Sequence, residues 1–382
     1  MNRFRFALKV FFALAALIAI AIFGYLQHPL FGKLPAGERL ARIERSPNHA
    51  DGLFRNQIDT PMRTTDQSEL SMWMQTLFGE KGQVRPPGAI PAVKTDLHAL
   101  NPAQDIVVWL GHSSFFVQLG GQRLLIDPVF SANAAPVPGA VRAFDGTSLY
   151  TAQDMPQIDA LLISHDHYDH LDYPTIVALQ PKVRQAIVGL GVGAHFEAWG
   201  YDSGTVREAD WNDVVALTPQ VQVHVTPARH FSGRTFTRDR SLWAGYALVS
   251  AERRLFFSGD SGFGPHFAEI GQRLGPFDWV ALDMGQYDPR WANVHMNPEQ
   301  AAQAAEDLRT KVLMPAHAGR FSISPHDWDD PFKRITAASQ GRSYALWTPE
   351  IGQPVYLDGR TQTFTPWWTE MGQPDDALMT RR

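Results

Sequence analysis

Four potential metal ligands fall within six residues of this chain, in the run SHDHYDH at residues 164–170. In an extended segment alternate side chains face the same way, so His165 and His167 can reach one ion together. Asp169 and His170 lie past the end of that segment, where a turn can direct them to a second ion. Imidazole nitrogens and carboxylate oxygens are suitable zinc ligands without any thiolate. A solvated, histidine-rich loop is the alternative, but the apolar strand-like run just before these residues favours a metal site.

Three further ligand-type residues follow apolar, strand-like runs elsewhere in the chain. His230 comes after VHVTPA, Asp260 after LFFSG, and His317 after VLMPA. Loops at strand ends are where the active sites of layered α/β folds are usually built. Seven nitrogen or oxygen ligands are more than one tetrahedral ion uses. The sequence therefore predicts a two-metal site with three histidines at one ion, an aspartate and two histidines at the other, and a bridging carboxylate.

The composition limits what else the chain can be. Its 382 residues include no cysteine but 14 histidines, so any metal must be held by His, Asp or Glu. A 44% apolar content is that of a globular chain with a core. Residues 1–33 contain four bases and no acid, which leaves 30 bases against 39 acids in the remainder. Such an acidic body offers no electrostatic surface for nucleic acid, and we predict no nucleic-acid partner.

The N-terminus has the pattern of a membrane anchor. Residues 10–26 carry no charge, and Arg3, Arg5 and Lys9 precede them. The length is near the lower limit for a transmembrane helix, and the positive-inside rule keeps the basic end in the cytoplasm. We predict a single-pass protein of a bacterial inner membrane with its body on the periplasmic, outer side. A cleaved signal peptide and a buried helix remain alternatives.

Four segments follow from the changes of pattern along the chain. Residues 1–33 are the predicted anchor, 34–104 a helical and proline-rich extension, 105–360 the α/β body, and 361–382 a polar tail. The extension contains two helix-like stretches, at residues 39–46 and 68–78.

The body begins with three apolar runs that predict strands, DIVVWL, SFFVQL and QRLLID. Gly120 and Gly121 separate the last two and predict a hairpin, because both turn positions need a positive φ. Strand-like and helix-like segments then alternate, which indicates a layered α/β fold. Asn297, Pro298 and Gln300 form the start signal of a helix that we expect to run to about Thr310.

The ligand pattern resembles the metallo-β-lactamase superfamily over roughly residues 100–345. Further motifs resemble its branch that contains N-acylphosphatidylethanolamine-hydrolysing phospholipase D: WLGHS, DPVFS, GDSGF, GPFD and YDPRW at residues 109–113, 127–131, 259–263, 275–278 and 287–291. The resemblance implies an αβ/βα sandwich with two zinc ions per chain. It assigns one zinc to His165, His167 and His230, the other to Asp169, His170 and His317, and the bridge to Asp260. It also places His295 as a catalytic histidine beside the phosphate.

The implied function is that of a membrane-anchored dinuclear zinc hydrolase, a phosphodiesterase of phospholipase D type acting on N-acylphosphatidylethanolamine-like lipids. Two zinc ions lower the pKa of a shared water toward 7, from about 15.7 in bulk, so that metal-bound hydroxide attacks phosphorus. Asp169, Asp260 and His295 are the predicted catalytic residues. A zinc-dependent lactonase or esterase of the same fold and a non-catalytic zinc-binding envelope protein are the alternatives.

Side chains around the ligands receive weaker expectations. His112 and Asp127 are candidates to hydrogen-bond the ligating imidazoles. Asp166, between two ligand histidines, has no role that the sequence assigns, and we expect its side chain to face solvent.

Overall fold

Two seven-stranded sheets account for most strands within residues 2–68, 71, 74, 79 and 82–372, the part of the chain that this computed structural model describes. In chain order the strands are β1 (His49–Ala50), β2 (Leu53–Phe54), β3 (Ile106–Gly111), β4 (Ser114–Leu119), β5 (Gln122–Ile126), β6 (Ala160–Ile163), β7 (Ala186–Gly189), β8 (Val206–Ala209), β9 (Val214–Thr218), β10 (Val221–Thr226), β11 (Gly245–Val249), β12 (Arg254–Phe257), β13 (Trp279–Asp283), β14 (Val312–Ala316), β15 (Ala345–Leu346) and β16 (Pro354–Tyr356).

Each sheet combines antiparallel and parallel pairs. The first sheet has the order β16-β3-β4-β5-β6-β7-β8, antiparallel as far as β5 and parallel from β5 to β8. The second has the order β15-β14-β13-β12-β11-β10-β9 and is likewise parallel from β12 to β15 and antiparallel in the remainder. The carboxyl ends of the parallel strands in each sheet therefore lie at one edge, where loops can meet.

The central strands of each sheet, such as β3, β6, β13 and β14, are buried along their whole length because they are covered on both faces. Along β3 successive side chains alternate between two core clusters: Val107 and Trp109 face the second sheet, while Ile106 and Val108 face the opposite side. Phe115 packs across the sandwich, with its ring 5.2 Å from that of Phe257 in the second sheet. These contacts form the central layer of the core.

The helices lie mainly on the outer faces. In chain order they are α1 (Asn2–Leu26), α2 (Gly37–Ile43), α3 (Tyr173–Leu179), α4 (Gly193–Ala198), α5 (His266–Leu274), α6 (Pro298–Asp307) and α7 (Asp330–Ala338). Ile176 of α3 and Phe196 of α4 belong to the cluster on the outer face of the first sheet. Phe267 of α5 packs on Phe256 of the second sheet. The arrangement is the expected αβ/βα sandwich, which confirms the predicted fold class.

Two local predictions are confirmed in detail. Gly120 and Gly121 have φ of 55° and 76° and join β4 to β5 as a tight hairpin. Asn297 caps α6: its side chain accepts the backbone N–H of Gln300, whose side chain accepts that of Asn297. The helix ends at Asp307, somewhat before the expected end.

The segment boundaries stay predictions, but both flanking segments contribute to the core. Ile43, Phe54 and Ile90 of residues 34–104 are at most 3% exposed. Trp367 and Trp368 of the tail are also buried, against Phe332 of α7. Most of the helix-like stretch at residues 68–78 lies outside the described residues.

One helix among the described residues, Arg3–Leu26, is long and apolar enough to cross a membrane, and the rest of the protein does not cover it. A signal sequence would meet the same criterion. The structure therefore agrees with the predicted span in length and exposure.

Candidate metal centre

Strand ends from both sheets deliver the predicted site residues to one place. Residues 165–170 follow β6, His230 follows β10, Asp260 follows β12 and His317 follows β14. All seven predicted ligands lie in two adjoining groups of potential ligand atoms. Their positions agree with the expectation that strand ends supply the site.

The first group contains three imidazoles. Nδ1 of His167 lies 2.9 Å from Nε2 of His165 and 3.3 Å from Nε2 of His230. Oδ2 of Asp260 lies 3.7 Å from each of those two Nε2 atoms. Burial is the largest influence on these histidines, and it lowers the pKa of His167 to about 4 and those of His165 and His230 well below the usual value. Neutral imidazoles with converging lone pairs are the donors that a zinc-type ion takes.

The second group joins two carboxylates to two imidazoles. Nε2 of His317 is 3.1 Å from Oδ2 of Asp169 and 3.3 Å from Oδ2 of Asp260. Nε2 of His170 is 3.6 Å from Oδ2 of Asp169 and 3.1 Å from Oδ1 of Asp260. Asp260 thus contacts both groups. Its Oδ1 faces His170, while its Oδ2 lies near His317 and near the imidazoles of the first group.

Two unsatisfied atoms show that these residues fit a cation. Nε2 of His170 and Oδ1 of Asp260 are fully buried, yet neither has a hydrogen-bond partner among the described residues. Buried polar atoms are rarely left without one unless an ion or water fills the place. The two atoms lie 3.1 Å apart without the geometry of a hydrogen bond, and an imidazole nitrogen and a carboxylate oxygen are the donors that a divalent metal takes.

The electrostatics of the second group favour positive charge. Burial opposes protonation of His317, but the carboxylates of Asp260 and Asp283 outweigh it and raise the pKa of His317 to about 10. The pKa of His170 is likewise raised well above its usual value, because Asp260, Asp169 and Asp127 outweigh the effect of burial. A place that stabilises a proton on imidazole so strongly also stabilises a metal cation.

Carboxylates behind the ligands orient the imidazoles of the second group. Nδ1 of His170 is 2.8 Å from Oδ2 of Asp127. The other oxygen of Asp127, Oδ1, accepts the backbone N–H of Ser164 at 2.7 Å. Nδ1 of His317 is 3.0 Å from Oδ1 of Asp283. With Nδ1 held by a carboxylate, Nε2 is the nitrogen directed at the centre, where a bound metal cation would take the place of its proton.

His112 holds the carboxylate of Asp169 in place. Its Nε2 lies 3.0 Å from Oδ2 of Asp169, and burial lowers the pKa of His112 to about 4, so that a neutral ring donates to the carboxylate. Asp127 makes the expected contact with a ligating imidazole, whereas His112 contacts the carboxylate of Asp169 instead. Asp283 was not predicted, although its place at the end of an apolar strand is the signal that found Asp260.

Backbone strain accompanies these contacts. His112, Asp127 and His317 have φ of 54°, 41° and 60°, in the left-handed region that non-glycine residues seldom adopt. Such conformations cost free energy and persist where the surrounding structure holds them, often at functional sites. Here each one turns a side chain from a strand end toward the centre.

The prediction of a solvent-facing Asp166 is wrong. Its side chain is 4% exposed and accepts hydrogen bonds from the backbone N–H of Gly233 at 2.7 Å and the hydroxyl of Ser241 at 2.8 Å. Nε2 of His195 lies 3.4 Å away. Alternation does turn Asp166 away from His165 and His167, but that side faces the loop at residues 232–241 instead of solvent. Asp166 therefore anchors the metal-binding loop to the body.

His295 lies at the rim of the centre. Its Nδ1 is 2.9 Å from Oδ2 of Asp283, so one carboxylate holds both His295 and His317. The two rings are stacked with centroids 5.1 Å apart, and the ring of His230 is 5.0 Å away. The structure thus brings His295 beside the ligands, with its side chain 13% exposed.

Comparisons with known proteins agree with this geometry. A sequence model described as the β-lactamase superfamily domain matches residues 122–318. An uncharacterized protein of Mycobacterium tuberculosis is 38% identical over 331 residues, 85% of this chain and 88% of that protein. The N-acyl-phosphatidylethanolamine-hydrolyzing phospholipase D 1 of Caenorhabditis elegans is 32% identical over 237 residues, 58% of this chain and 65% of the relative. A metallo hydrolase of the archaeon Ignicoccus hospitalis shares the fold, with a TM-score of 0.53 and 19% identity over 67% of this chain and all of that one.

Proposed function

Since this chain belongs to the β-lactamase superfamily and is a metallo-hydrolase of that superfamily, we propose that it hydrolyses phosphodiesters of N-acylated phospholipids at a two-zinc centre. The observation that carries the proposal is Asp260, whose carboxylate oxygens lie 3.1 to 3.7 Å from imidazole nitrogens of both ligand groups. A single ion would leave one group of buried imidazoles and carboxylates without a partner, which is costly.

The residues divide between the two ions as the resemblance implies. In this proposal His165, His167 and His230 hold one zinc, and Asp169, His170 and His317 hold the other, with Asp260 between them. When bound, the ions supply Lewis acidity that activates a water and neutralises charge developing on the substrate oxygens. Asp169 has a further task, since its carboxylate contacts His112 and His317 as well and keeps the second group in register.

His295 is the proposed proton donor to the leaving oxygen. Asp283 holds its Nδ1, so Nε2 is the nitrogen that can face the substrate. A new bond forms between the water oxygen and phosphorus, and the bond from phosphorus to the amino-alcohol oxygen breaks, so that the phosphate stays on the glycerolipid. The leaving oxygen takes a proton from His295, and the proton that the attacking water gives up restores it. The products are phosphatidic acid and an N-acylethanolamine.

A cavity with basic side chains in its wall supports a phosphate-bearing substrate. It has a volume of about 730 Å³, and Arg85 and Arg142 are among its lining residues, while a third arginine there, Arg290, is paired with Asp288 at 2.7 Å. The amide of Gln286 joins its wall to the metal centre, donating to the carbonyl of His317 at 3.1 Å and accepting the N–H of Ile323 at 2.7 Å. Guanidinium groups are suited to phosphate oxygens. A neutral lactone would gain nothing from them, which favours the phosphodiester over the lactone.

The proposal predicts a substrate preference. The full chain, reconstituted with zinc, should turn over N-acylphosphatidylethanolamine with a kcat/KM at least about 100-fold above that for lactones or carboxylic esters, because only the former uses both metals and arginines. Mass spectrometry of lipid products measures this, with the chelator-treated chain as control. A lactone as the best substrate would establish the esterase alternative. Full metal content without turnover of any substrate would indicate a binding protein.

We also propose that α1 anchors the enzyme in a bacterial inner membrane with the body on the outer side. The bases before the span lie at Arg3, Arg5 and Lys9, and cytoplasmic retention of such residues sets the orientation.

A reporter fused after the last residue tests this topology. We expect alkaline phosphatase fused there to be active and a cytoplasm-dependent fluorescent protein to be dark. Replacing the three bases with glutamate is the matched control and should weaken the preference for placing the body on the outer side. Activity of the cytoplasmic reporter alone would overturn the predicted orientation.

A further inference from the structure

The last turn of α1 is attached directly to the body. The hydroxyl of Tyr25 donates to the carbonyl of Pro136, in the loop at residues 131–143. Just after the helix, the carbonyl of Leu30 accepts Nη2 of Arg234 at 2.6 Å. These contacts come from two different loops of the body, so α1 leaves it at a defined point.

That point is next to the metal-binding loop. Arg234 is 6% exposed, donates through Nη1 to the carbonyl of Asp166 at 2.7 Å, and lies over the ring of Tyr168 at 4.1 Å. Phe31, which is 9% exposed, packs edge-on against the same tyrosine. Since residues 165–170 hold four of the proposed ligands, the end of α1 and the metal centre share one side of the body.

Exposed apolar side chains lie in the two loops nearest the helix end. Val137, adjacent to the residue that binds Tyr25, is 58% exposed. Phe236 is 91% exposed. The residues on either side of it line a cavity of about 210 Å³ together with Leu26, the last residue of α1. Leu34, which lines the same cavity, is 49% exposed. A phenylalanine so fully in water at a loop tip is unfavourable, and membrane interfaces are where aromatic side chains are enriched.

Basic residues border this surface. Lys33 follows the helix end, and Arg238 and Arg240 follow the tip of the second loop; all three are exposed, with Asp239 between the arginines and Glu197 near Lys33. Juxtamembrane bases are attracted to anionic lipid headgroups. The combination of apolar tips and surrounding bases matches the interface of a bilayer.

We propose that Val137 and Phe236 insert into the bilayer that α1 crosses and hold the metal-loop side of the body against the membrane. The span and the two loop tips are three separate attachments, and three points fix the orientation of a body on a plane. The lipid substrate would then reach the centre without leaving the membrane. The inference rests on the proposed anchoring by α1, but it does not depend on which bond the enzyme cleaves.

The absence of cysteine makes a direct test simple. Phe236→Cys and Val137→Cys, each in the full chain, are labelled with an environment-sensitive fluorophore and reconstituted into phosphatidylethanolamine–phosphatidylglycerol vesicles. Leu17→Cys in α1 reports the anchor itself. Val214→Cys on β9, a residue 44% exposed, is the matched surface control.

We expect quenchers on the lipid chains to reduce the emission of labels at 236, 137 and 17, with a blue shift at 236 and 137. The label at 214 should respond only to aqueous iodide. Labels at 236 and 137 that behave like the one at 214, while 17 is quenched by lipid, would overturn docking and leave the anchor intact. Failure of lipid quenching at 17 as well would overturn the anchor and the docking together. Neither result depends on turnover, so a wrong substrate assignment cannot be confused with either.

Discussion

Asp260→Asn is expected to lower kcat/KM by roughly 10⁴-fold, the size of loss seen when one member of a catalytic unit is removed. Asp260 is the carboxylate that reaches both ligand groups, 3.1 Å from Nε2 of His170 and 3.7 Å from Nε2 of His165. Asparagine keeps the shape but removes the negative charge, and its NH₂ group donates where the centre needs an acceptor. Both ions should therefore bind more weakly and lose their common ligand.

Metal analysis after zinc reconstitution makes this prediction sharper. The unaltered chain should hold two equivalents, and Asp260→Asn fewer. Asp358→Asn, at a remote and exposed carboxylate paired with Arg360, should keep both metal and activity. His230→Ala and His170→Ala should each deplete one ion, the first and the second respectively. An Asp260→Asn variant with two equivalents and normal turnover would show that the bridging assignment is wrong.

The second large effect is expected at His295. His295→Gln should lower kcat on the phospholipid by roughly 10²- to 10³-fold, within the range for loss of a general acid. Metal content should stay at two equivalents, since the proposed ligands do not include His295. The contact of its Nδ1 with Asp283 at 2.9 Å presents Nε2 to the substrate, and the glutamine cannot supply the same proton.

The leaving group distinguishes proton donation from a merely structural role. A nitrophenyl phosphodiester releases an anion that needs no proton, so His295→Gln should slow its hydrolysis much less than that of the phospholipid. His98→Gln, at an exposed histidine outside the metal centre, serves as control. Equal losses with both leaving groups would exclude the role of acid. Unchanged kcat with both would remove His295 from the mechanism.

Local signals in the sequence were sufficient for the elements and for the ligand types. The continuous apolar runs predicted β3, β4 and β5, because a strand covered on both faces must be apolar along its length. The hairpin at Gly120 and the cap at Asn297 depend on a few neighbouring residues, so they too could be predicted. The spacing of His165, His167 and His170 after an apolar run indicated a metal site for the same local reason.

What each of those side chains meets was decided by the tertiary structure. Asp283 holds His317 from a strand 34 residues earlier in the chain, and Asp166 meets Ser241 across 75 residues. Alternation along a strand predicts the direction of a side chain, but the packing of sheets and loops decides whether that direction leads to solvent, to a carboxylate or to another loop. The same holds for the end of α1: its sequence determines that it is apolar, while its place beside the metal-binding loop depends on contacts of Leu30 and Tyr25 with residues more than 100 positions away.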